Sequence, residues 1–131
     1  MLSVVAVGAT AIGCGSDNDT STTGIKTGQK VVSSDKIAEV TARTAVTAME
    51  VYAVDHGGSY TGADAATLRS IEPRLPPNLY VQAQSTSYSV TVPAKLSGTQ
   101  FTVEKRTGGA LSFTCSSPGT GTCPPSGDWG S

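Results

Sequence analysis

Ser33 to Tyr60 reads SSDKIAEVTARTAVTAMEVYAVDHGGSY, and the reading of this stretch decides the fold. Lys36, Glu39, Arg43, Thr47 and Glu50 recur at steps of 3, 4, 4 and 3, which traces one face of a 3.6-residue helix. Ala38, Thr41, Ala45, Ala48 and Tyr52 lie opposite, flanked by Ile37 and Met49. Asp35 is the expected N-cap, because its short side chain can accept from a first-turn amide that has no helical partner. Gly57 and Gly58 are expected to end the helix, since glycine takes the left-handed conformation that a C-terminal cap needs. Charged residues are thus assigned to solvent, and the Ala/Met/Tyr side to a core.

Outward from this helix the chain changes character. Asp64 is placed to cap a short helix over Ala65–Ile71, which Pro73, Pro76 and Pro77 forbid from continuing. From Leu79 the period becomes two. Tyr88, Val90 and Val92 alternate with Ser87, Ser89 and Thr91; Phe101 and Val103 with Thr102 and Glu104; Leu111, Phe113 and Cys115 with Ser112 and Thr114. Ser97-Gly98 and Thr107-Gly108-Gly109 read as the turns between these strands, and Leu79–Ala83 as a fourth, weaker strand. The expected class is α+β: one long N-terminal helix packed on a three- to four-stranded antiparallel sheet, with a disulfide loop at the C-terminus. The outward strand positions carry Ser and Thr and read as a solvated sheet face.

The 131 residues allow one domain and a tail. A net charge of −1 with 15% charged residues leaves no basic footprint, which argues against a nucleic-acid partner. Of the three cysteines, Cys115 and Cys123 flank a Gly/Ser/Thr/Pro segment and are expected to pair. Closing so short a loop contributes roughly 2–3 kcal/mol on the chain-entropy account. The two cysteines and a single distant histidine are too few for a zinc site, and no metal, cofactor or small-molecule substrate is indicated.

Cys14 has a different context. Met1 to Ile12 is apolar or small throughout, too short for the roughly 20 helical residues that cross a bilayer. The run ends Ala11-Ile12-Gly13-Cys14, which resembles the lipobox of bacterial lipoproteins, although no Lys or Arg precedes it and Ala11 stands where leucine is commonest. The resemblance implies a signal peptide over 1–13, lipid on Cys14 and a membrane-anchored mature N-terminus. Residues 14–33 read as a polar tether. Its Asp17-Asn18-Asp19 lacks the glycine and distal glutamate of a calcium loop. The folded domain is then expected over 34–131.

Several segments in fixed order carry a second resemblance. They are Ala42 to Tyr52, then Asp55-His56-Gly57-Gly58-Ser59-Tyr60, Ala66-Thr67-Leu68 with Ile71-Glu72-Pro73, Gly98 to Val103, and the Cys115/Cys123 loop. Together they resemble the globular part of bacterial type IV pilins and type II secretion pseudopilins. That family implies an extracytoplasmic structural or interaction protein, with other pilin-like or envelope proteins as partners. Its subunits carry a long apolar helix behind a prepilin cleavage site, whereas here a lipobox and a tether occupy that place. A fibre subunit, a minor pilin or pseudopilin located in an extracellular pilus, is the alternative function.

A hydrolase using His56 is the one enzymatic reading that the residues offer. His56 follows the helix beside two glycines and lies in no recognisable nucleophile motif, so a histidine on the helix dipole is the expected role, and the chain is expected not to be an enzyme. The helix's apolar arc also runs past what a sheet contact needs. Val40, Thr44 and Val51 extend it, and they form the expected interaction face.

Overall fold

In a computed structural model of the chain, which describes residues 23–130, two helices precede four strands. They are α1 (Thr23–Asp55), α2 (Ala65–Ile71), β1 (Tyr80–Ala83), β2 (Tyr88–Pro93), β3 (Gln100–Lys105) and β4 (Leu111–Cys115). The sheet is an antiparallel meander in the order β1-β2-β3-β4. Residues 1–22, which include the expected signal peptide over 1–13 and Cys14, lie outside the described residues.

The core follows from two periods meeting. In β2 the buried positions alternate, Tyr88, Val90 and Val92, and β3 sets Lys105, Val103 and Phe101 opposite them. Along α1 the buried apolar residues Ala38, Ala42, Ala45, Ala48, Met49 and Tyr52 recur every three or four positions. Alanines dominate this stripe, so the helix axis approaches the sheet closely and the large side chains come from the strands.

The helix is longer than expected. It starts at Thr23, so residues 23–33, read above as tether, are helical, and Asp35 caps nothing. Each residue added to an existing helix gains a backbone hydrogen bond without a new nucleation step. Asp35 instead lies mid-helix and fully buried, where it accepts from Ser97 Oγ at 2.6 Å and the Thr122 amide at 3.1 Å. Glu39, assigned to the solvent face, is also buried and accepts from the Thr122 hydroxyl. Ile37, assigned beside the core, is 67% exposed.

The far end of α1 is terminated by backbone geometry. Gly57 and Gly58 take φ of 66° and 88°, and the Gly58 amide donates to the Ala53 carbonyl at 2.7 Å. That is the long-range bond of a Schellman-type cap. Asp64 caps α2, accepting from the Thr67 amide at 2.8 Å. Beyond β4 the tail folds back: Thr114 bridges to Asp128, and Trp129 packs edge-on against Phe101 and Phe113.

Candidate functional site

Three loci stand out among the described residues, and two of them hold side chains that sequence reasoning singled out. The first is the side of α1 turned away from the sheet. Val40 is 62% exposed and Val51 44%, while Thr44 is half-buried and donates its hydroxyl to the Val40 carbonyl at 2.9 Å. Ile37 and Val54 are exposed on the same side of the helix. Five outward positions thus carry branched side chains, four of them wholly apolar. Beside this face an open groove of about 1070 Å³ runs between α1 and the β2–β3 turn. Its floor includes Ala38, Val92, Ala94 and Leu96, and Lys30, Arg74 and Lys95 also line it.

The second locus is the C-terminal loop. Cys115 and Cys123 form a disulfide with Cα atoms 5.8 Å apart. The loop they close is pinned to α1 through Thr122, whose amide and hydroxyl reach Asp35 and Glu39. Gly121 has φ of 57°, and a Cβ there would collide with the Asp35 carboxylate. A side chain is therefore excluded twice, by backbone conformation and by contact. Arg43, further along the same flank, lies over Phe113 and Trp129 with its guanidinium carbon 4.9 and 5.0 Å from the ring centroids.

At the third locus Glu50 gathers the start of the meander onto the helix. It accepts from Lys105 Nζ at 2.8 Å, from the Tyr60 hydroxyl at 3.0 Å and, more weakly, from the Tyr88 hydroxyl at 3.4 Å. Partial burial pushes its carboxyl up, but the bonds from Lys105 and Tyr60 outweigh this and hold it below the usual range. Lys105 is raised in turn, chiefly by its bond to Glu50. Burial, with the Glu50 charge added, pushes the Tyr88 hydroxyl well above its ordinary value. The cluster is an ion pair laced by two phenols, and it ties α1, the chain after it, β2 and β3 together.

His56 takes part in none of these loci. Its ring stacks on Tyr52 with centroids 3.8 Å apart, and Nδ1 lies 2.8 Å from the Tyr52 carbonyl. With Nδ1 carrying the proton, it caps a carbonyl of the last turn. Among the described residues no group of three or more His, Cys, Asp or Glu is placed to hold a metal ion. No described helix is long and apolar enough to cross a membrane.

No protein-family model, curated protein or solved structure matches the chain. Sequence reasoning missed the cluster around Glu50, which it had placed on the solvent face, and it missed the tail. Trp129 is buried, and its indole N–H donates to the Thr114 carbonyl at 2.8 Å. A lone tryptophan after a Pro/Gly stretch shows no period, so only its size and apolarity hinted at a core role.

Proposed function

We propose that the chain is a non-catalytic protein of the bacterial cell envelope, a pilin-like structural or interaction domain held to the membrane by lipid on Cys14. The observation that carries this reading is the pairing of two features. One is the lipobox-like Ala11-Ile12-Gly13-Cys14. The other is a 33-residue helix that spends one face on the sheet and leaves branched apolar residues on the other. A contact face of that kind on a tethered domain suits recognition at a surface. A hydrolase is not needed to account for His56, whose ring is engaged with Tyr52.

The test is the intact mass of the protein extracted from its native membrane. Lipidation gives a chain beginning at Cys14 with the added mass of acyl groups, and Cys14→Ser abolishes that species. A membrane-extracted chain without acyl mass would overturn the anchor. Recovery of the protein in sedimentable filaments would replace this reading with that of a fibre subunit.

A further inference from the structure

The outward residues of α1 repeat with a period that the sheet contact does not explain. Ile37, Val40, Thr44, Thr47, Val51 and Val54 follow one another at steps of 3, 4, 3, 4 and 3. This is the a/d spacing of a coiled-coil seam, and every one of the six is β-branched. The valines and the isoleucine are exposed. The two threonines turn their hydroxyls onto their own helix: Thr44 donates to the Val40 carbonyl at 2.9 Å and Thr47 to the Arg43 carbonyl at 3.4 Å. With the hydroxyls satisfied there, the methyl groups remain for a contact.

We propose that this seam pairs with the same seam of a second copy, the two helices running antiparallel. Charge selects both the partner and its direction. The row beside the d positions reads Lys36, Arg43, Glu50, and the row beside the a positions reads Thr41, Ala48, Asp55. A parallel pair sets the first row against the second, which brings Glu50 to Asp55 of the other copy and offers no attractive pair. An antiparallel pair sets the first row against itself reversed, so that Glu50 meets the Lys36–Arg43 end of the other copy, twice by symmetry. Lys36 and Glu50 have side chains 62% and 45% exposed, free enough to share their charge across an interface while keeping Glu39 and Lys105 as partners. In this arrangement Ile37 opposes Val54, Val40 opposes Val51, and Thr44 opposes Thr47.

Six layers are few for a free coiled coil. Here, however, each helix is already ordered by its own sheet, so pairing does not have to meet the cost of helix formation. A reversible dimer follows, and tethering to one membrane raises its occupancy through effective concentration. The inference rests on reading the chain as an interaction domain but not on lipid at Cys14. The mass at Cys14 tests the anchor, so the two can fail separately.

The experiment uses the full chain carrying Cys14→Ser in detergent. Ile37→Cys and Val54→Cys proteins are mixed and mildly oxidised. A disulfide between position 37 of one copy and position 54 of the other is expected, well above the yield of 37–37 or 54–54 links. Predominant self-links, or no link above a Val32→Cys control, would overturn the antiparallel pair. Sedimentation equilibrium on the unlinked protein is expected to show a dimer that Val40→Glu weakens at least ~100-fold by placing a charge against Val51. Val32→Glu, off the seam, leaves it unchanged. A monomer at millimolar concentration would sink the proposal.

Discussion

On its sheet side α1 carries Ala38, Ala42, Ala45 and Ala48; on the opposite side, over the same turns, it carries Val40, Thr44, Val51 and Val54. Apart from Met49 and Tyr52, the buried apolar side chains are the smaller ones. A helix stabilised only by its own sheet gains most from large apolar residues on the inner face, because burial scales with area. Here the strands supply the bulk through Phe101, Val90 and Val103, and the helix supplies smoothness. Branched residues on the outer face add nothing to the sheet contact. The inner face therefore answers to folding, and the outer face is the one that the proposed pairing would use.

Substitutions can break or sharpen that contrast. Met49 is the largest fully buried side chain on the inner face, and Met49→Ala should cost about 2–5 kcal/mol, read as a fall in the denaturation midpoint. Reducing the Cys115–Cys123 bond, which frames the loop over the inner face's N-terminal end, should cost roughly 2–3 kcal/mol in the same measurement. If Gly121→Ala leaves stability untouched, the collision with Asp35 is wrong; the expected loss is about 1–3 kcal/mol.

Acid titration addresses the C-terminal half of α1. Glu50 is held below its ordinary value of 4.5, so its contribution is present above that pH and fades as pH falls through the lowered value. The melting temperature should drop along that acid limb, and Lys105→Met should flatten the drop. The smallest effect belongs to the outer face: Val51→Ala should change monomer stability by no more than about 0.5 kcal/mol. A loss as large as that of Met49→Ala would mean that the two faces are not distinct.

β2 and β3 were legible because each has one buried face, which writes the fold directly into alternation at Tyr88-Val90-Val92 and Phe101-Val103. The ends of α1 divided. Gly57 and Gly58 signal a stop locally, whereas the start at Thr23 lies in a Ser/Thr/Gly run that reads as linker. Faces were harder than ends. Asp35 and Glu39 look like surface residues until Ser97 and Thr122 arrive from 62 to 87 positions away. Ile37 looks like core because it is apolar, yet a single 100° step from Ala38 carries it out to solvent. The outer face was read as Val40, Thr44 and Val51; Ile37 and Val54, also exposed, were not included.

The clasp between Asp35 and Thr122 also sets an order of events during synthesis. The carboxylate leaves the ribosome 87 residues ahead of the amide that will satisfy it. At roughly 5–20 residues per second that is an interval of about 4–17 s. Throughout it the helix can form but cannot dock at both ends, and Trp129 follows later still. A chain ending before residue 122 would keep its sheet strands and lose the groups that seat a buried charge. Completion of this fold thus waits for residues 122 to 129.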